Sequence, residues 1–84
     1  MRVGVQFTGT VPAQQSRRWF TFRWPQQWHV VWYVVPTSPR VGAAQIEWDV
    51  EVERADSNYI TYWIRIRNLT SEAVNIEARY AVLN

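Results

Sequence analysis

The sequence predicts an all-β fold: a six-stranded antiparallel β-sandwich of jelly-roll or Ig-like kind, with a closed barrel as the alternative. Three observations lead there. Apolar and polar residues alternate with a period of two in run after run. No stretch shows helical spacing of its apolar residues. Clusters of Pro, Gly, Asn, Asp and Ser separate the runs at the spacing of all-β proteins. At 84 residues the chain holds one domain, residues 1–84.

The first run, Arg2 to Thr8, places Val3, Val5 and Phe7 on one side, which is expected to face inward. Gly9 to Ser16 is polar, carries Gly9 and Pro12, and reads as a connection. In Arg18–Trp24, Phe20, Phe22 and Trp24 are expected inward, with Trp19, Thr21 and Arg23 outward. Pro25-Gln26-Gln27 turns the chain into its most distinctive stretch, Trp28-His29-Val30-Val31-Trp32-Tyr33-Val34-Val35. β-Branched and aromatic residues dominate these eight positions, there is no charge, and Pro25 and Pro36 bound them, which suits a strand. Both of its faces are apolar. Such a strand needs cover on both sides, whereas a small two-layer domain covers only one side of each sheet. The second face therefore wants either a partner or a ligand; a second copy of the chain is favoured, with Trp28, Val30, Trp32, Tyr33 and Val34 as candidate interface residues.

Residues 36–44 form the longest loop. The sharpest alternation follows: Ile46, Trp48, Val50 and Val52 point one way, and Glu47, Asp49, Glu51 and Glu53 the other. Ala55-Asp56-Ser57 turns it back into Asn58–Arg67, with Ile60, Tyr62, Ile64 and Ile66 inward and Tyr59, Thr61, Trp63, Arg65 and Arg67 outward. Opposed residues share a face, so the acids of one strand meet the arginines of the next. A short turn sets Glu47 opposite Arg65. A slip of two residues sets Glu47 opposite Arg67 and Asp49 opposite Arg65. After a second turn at residues 68–72, the last strand directs Val74, Ile76, Ala78, Tyr80 and Val82 inward.

Composition narrows function. All nine cations are arginine, and the net charge is +2. Residues 1–44 hold five arginines and no acid (+5); residues 45–84 hold four arginines against seven acids (−3). Basic and acidic halves can attract one another within a chain or between copies. There is no cysteine, so disulfides, thiolate metal sites and cysteine nucleophiles are excluded. No cofactor is implied. No apolar run nears the roughly 20 residues of a spanning helix, and residues 1–8 alternate instead of forming a leader.

The sequence points away from catalysis. His29 is the only histidine, its neighbours are apolar, and no nucleophile motif accompanies it. The carboxylates at 47, 49, 51 and 53 lie at strand spacing beside arginines, which describes an open salt-bridged face and not a cleft of paired acids or a calcium loop. Arg17 to Trp24 interleaves cations with rings as single-strand nucleic-acid binders do, but the acidic second half leaves little electrostatic footprint. A membrane-active role needs spanning strands of about 9–11 residues with one lipid-facing side, and the 28–35 run is slightly short and apolar on both, so a pore-forming or toxin-like β protein stands as a minority alternative.

Outward rings beside planar hydrogen-bonding groups suit a carbohydrate, whose C–H faces stack on indole and phenol. Trp19, Tyr59 and Trp63, with Arg23, Asp49 and Arg65, are the candidate ligand-binding residues. The same residue types are enriched at protein interfaces, so a purely structural oligomer remains the competing expectation.

Phe7-Thr8-Gly9-Thr10-Val11-Pro12 through Arg18-Trp19-Phe20-Thr21-Phe22 places a glycine, a short polar loop and an aromatic-alternating strand in succession. This opening resembles that of bacterial pre-peptidase C-terminal-like accessory β-sandwich domains. Ile64–Thr70 through Tyr80 is similar to the closing hairpin of many extracellular sandwiches. The likeness covers about half of the chain and departs in the tryptophan-rich middle, Trp24 to Trp48. It implies a bacterial, exported, extracellular or cell-surface domain that binds or adheres without catalysis, and it carries over no calcium ligand.

Overall fold

Residues 59–67 alternate inward and outward without a break, and they form the spine of one of two sheets. The computed structural model describes residues 1–84 as seven strands: β1 (Arg2–Val11), β2 (Ser16–Phe20), β3 (Trp24–Pro25), β4 (Val30–Pro36), β5 (Ile46–Arg54), β6 (Tyr59–Asn68) and β7 (Val74–Val82). There is no helix and no closed barrel. One antiparallel sheet has the order β1-β7-β4. In the other, β6 pairs with β5 along one edge and with β2 and then β3 along the other. The sheets stack as a sandwich around Ile64 and Ile66 of β6, Ile76, Ala78 and Val82 of β7, and Val11 of β1, none more than 1% exposed. Each of the isoleucine and valine side chains contributes about 1.5–3 kcal/mol by leaving water.

Two bulges account for most departures from simple alternation. Val5 pairs with Arg79 but Phe7 pairs with Ala78, so Gln6 is an extra residue in β1. The bulge reverses the phase of the strand. Phe7 turns inward, as expected, whereas Val3 and Val5 face solvent at 72% and 50% exposure, against the expectation that all three point in. β1 also continues through Gly9, which the sequence reading placed in a loop. Gly9 is needed there because a Cβ would lie 2.8 Å from the Trp19 ring.

The second bulge splits the expected second strand into β2 and β3, giving seven strands in place of six. Phe20 pairs with Trp63 and Trp24 with Ile60, so three intervening residues face two. Arg23 absorbs the excess with a left-handed φ of 57°. The faces of β2 are therefore the reverse of expectation. Trp19 packs inward, stacked on Phe7 at 4.9 Å, and Thr21 is buried. Phe20 and Phe22 are exposed. Trp24, expected inward, is buried.

Trp28 and His29 precede β4 instead of belonging to it. Trp24, Trp28, Trp32, Tyr62 and Tyr80 form a continuous ring cluster with centroids 5.0–6.0 Å apart. Within it the Trp32 indole N–H has no hydrogen-bond acceptor. At the other end of the sandwich, buried Asn68 ties three segments together. Its Nδ2 donates to the carbonyls of Val11, Pro12 and Glu72, while its Oδ1 accepts from the backbone N–H and hydroxyl of Thr70.

Candidate binding face

The odd-numbered positions of β6 that point away from the core build the outer face of the β5–β6–β2/β3 sheet. Tyr59, Thr61, Trp63, Arg65 and Arg67 run along it, with Glu47, Asp49, Glu51 and Glu53 of β5 on one side and Arg18 and Phe20 of β2 on the other. Of the two registers open to the β5–β6 hairpin, the slipped one forms: Glu47 pairs with Arg67 and Asp49 with Arg65. The turn permits this because Asp56 Oδ1 accepts the N–H groups of Asn58 and Tyr59.

The face divides into a charged half and a ring half. In the charged half, Arg65 donates to Asp49 at 2.7 Å and Arg67 to Glu47 at 3.2 Å. The Arg65 guanidinium is held above the usual arginine value, first by its hydrogen bond to Asp49 and then by the carboxylate's charge. Ser16, Trp48 and these four residues line an open groove of about 600 Å³. No group of three His, Cys, Asp or Glu side chains is arranged to hold a metal ion.

In the ring half, Phe20 leans on Trp63 with centroids 5.1 Å apart, and the Arg18 guanidinium lies 4.4 Å from the Trp63 ring centroid. Arg18 also reaches Glu51 at 3.1 Å. The Trp63 Nε1–H donates to Glu53 at 2.8 Å. Beyond Thr61, Arg23 lies over the Tyr59 ring at 4.9 Å, with no carboxylate in ion-pair range. Phe22, 75% exposed, completes this half, and a shallow hollow of about 250 Å³ separates it from Asp56 and Tyr59.

Of the candidate ligand-binding residues, the structure brings Arg23, Asp49, Tyr59, Trp63 and Arg65 to this one face. Trp19 is placed elsewhere, inside the sandwich against Phe7. The sequence reading missed Phe20, Phe22, Arg18 and Glu53. Their signal was the pairing of Phe20 with Trp63, hidden by the wrong phase for β2.

Of the candidate interface residues, Trp32 and Val34 are buried in the chain's own core, and Trp28 and Val30 pack against it. Tyr33 alone stands on the outer face of the β1-β7-β4 sheet, 48% exposed, alongside Val31, which was not a candidate. His29 is exposed beside the C-terminus, its backbone N–H donating to Asn84 Oδ1.

No family model matches the chain, and no curated protein or solved structure matches it significantly.

Proposed function

We infer that the protein is a non-catalytic binding module that takes a carbohydrate on the outer face of the β5–β6–β2/β3 sheet. One observation supports the reading most directly. Exposed Phe20 and Phe22 flank Trp63 and Tyr59, and the polar groups around these rings are planar and already aimed: Arg18 and Arg23 are stacked on the rings themselves. A sugar ring can lay its C–H face on the open phenyl groups while its hydroxyls reach Arg18, Arg23 and Glu53. Trp63 serves as the base of this stack, since one face lies under Arg18 and its N–H is held by Glu53. Asp49 and Arg65 line the adjoining groove and extend the hydrogen-bonding surface. A bacterial, extracellular or cell-surface setting, implied by the resemblance at residues 7–22, belongs to the same proposal.

Trp63 is the one tryptophan in the ring half of this face, so its emission reports occupancy there. Titrating a panel of neutral and acidic oligosaccharides should give a saturable fluorescence change that is absent in Trp63→Phe and weakened at least tenfold in Phe20→Ala and Phe22→Ala. Each lost ring contact of about 1.4 kcal/mol corresponds to that factor. Unchanged emission across the panel at millimolar sugar would rule the reading out.

A further inference from the structure

The opposite broad face of the sandwich holds none of the residues assigned to the sugar, and its chemistry differs. In the β1-β7-β4 sheet, Val3, Ala81 and Val31 form one cross-strand row, and Val5, Arg79 and Tyr33 the next. Val3, Val5, Val31 and Tyr33 are each about half exposed or more. Ala81, on the central strand, is the short side chain between the taller Val3 and Val31. Together these residues bound an open apolar hollow of about 360 Å³. A contiguous apolar surface of this kind on a small soluble domain marks a contact surface.

We propose that the occupant of this face is a second copy of the same chain, docked face to face about a two-fold axis that lies in the plane between the two sheets. The first argument is charge. A two-fold contact lays a patch against its own image, so any unbalanced charge meets itself. The ionised groups next to the apolar rows, Arg79 and Glu77, neutralise one another at 2.6 Å, and Arg79 also donates to the Tyr33 hydroxyl at 2.9 Å and covers its ring. The face can therefore meet itself without repulsion. The outer face of the other sheet carries four carboxylates and four guanidinium groups close together, all of which a contact would have to strip of water.

Shape and size argue the same way. A copy turned by half a rotation brings its projecting Tyr33 toward the hollow above Ala81, and the exchange is reciprocal. The molecule measures 42 × 23 × 16 Å, so its broad face is of the size of one side of a standard interface, roughly 800 Å² per partner. Sheets packed face to face sit about 10 Å apart, a gap that valine and tyrosine side chains from two faces fill. Only 16 of 84 residues are buried in the single chain, a thin core for which association is the remaining source of stabilisation in the absence of disulfides.

Light scattering coupled to size exclusion, from about 1 to about 100 μM chain, tests this directly. The expected mass is twice the 10.0 kDa of one chain at the upper concentrations. Val31→Glu, which sets two carboxylates against each other across the axis, should return the mass to that of one chain while the far-UV spectrum stays β-rich. Tyr33→Thr suits a strand, leaves the core untouched, and should weaken association at least tenfold. Phe22→Ser, on the opposite face, should leave the mass unchanged. A single-chain mass throughout the range would overturn the proposal, as would association that survives both Val31→Glu and Tyr33→Thr. Neither result bears on sugar binding, which is read from Trp63 emission.

Discussion

Arg65 and Asp49 stand directly opposite one another on β6 and β5, and the guanidinium donates to Oδ2 at 2.7 Å. The contact exists because the hairpin closes with a longer turn than its shortest option, which also sets Glu47 against Arg67. Both side chains remain about half exposed, so the pair acts more on register than on total stability.

Charge reversal at this pair tests the register. Asp49→Arg alone places two guanidinium groups opposite each other and should lower the urea midpoint. Adding Arg65→Asp should recover most of the loss. The difference should shrink in 1 M salt, where screening acts over about 3 Å. Failure of the double variant to recover would mean that these two residues are not paired in solution.

Two glycines in β1 should respond differently to alanine. At Gly9 the new methyl group meets the Trp19 ring, which is held in its stack on Phe7, so Gly9→Ala should destabilise by about 1–3 kcal/mol. At Gly4 it meets the Tyr80 hydroxyl, the far end of a side chain, at 2.9 Å. Gly4→Ala should therefore cost less, and equilibrium unfolding of the two variants side by side decides the order.

Asn68 is the most heavily bonded side chain in the molecule. Asn68→Ala leaves the carbonyls of Val11 and Pro12 and the Thr70 backbone N–H without the side chain that bonds them, for a loss of roughly 3 kcal/mol. Asn68→Asp keeps the acceptor and deletes the donor, so it should be nearly as damaging. Thermal unfolding that places either variant within a degree of the parent would contradict this role.

Tyr62 gives the fold an alkaline limit. Burial beside Trp24 and Trp32 holds its phenol above the ordinary value of 10.0. Below that value the hydroxyl is protonated in both folded and unfolded chains, and its contribution is fully present. As pH rises past it, the unfolded chain ionises first and stability falls until the folded phenol also titrates. Tyr62→Phe should accordingly lose less Tm than the parent between pH 9 and pH 11, a range bracketing the phenol's ordinary value.

The fold class was legible because most strands keep one phase throughout. Ile60, Tyr62, Ile64 and Ile66, and Val74, Ile76, Ala78 and Val82, all lie where alternation puts them. The registers of Asp49 and Glu47 were among the stated options because charge pairing limits them. Where the sequence misled, a bulge had shifted the phase within a strand. Val3 and Val5 look the same as Phe7 by spacing, and Trp19 looks unlike Trp24, yet in each case the structure reverses the relation. A bulge inserts one residue without a distinctive residue type at Gln6, and at Arg23 it uses a side chain that seldom adopts positive φ. The ring half of the binding face was hidden for that reason, since Phe20 and Phe22 reach solvent only after the slip. The apolar excess at residues 28–35 was visible, but its division was not: Trp32 and Val34 went to the core, and Val31 and Tyr33 to the surface.

The extra residue at Gln6 has a further effect on β1, which is a border strand whose outer backbone groups have no neighbour. Taking Gln6 away would leave Val5 opposite Arg79 and Phe7 opposite Ala78, so every side chain would keep its side. What would change is the rim. A straight, uninterrupted rim with valines on one flank is a template onto which further chains can add strand by strand, and the bulge interrupts it. Thioflavin binding by the Gln6 deletion variant, compared with the parent, tests whether this bulge opposes strand addition at β1.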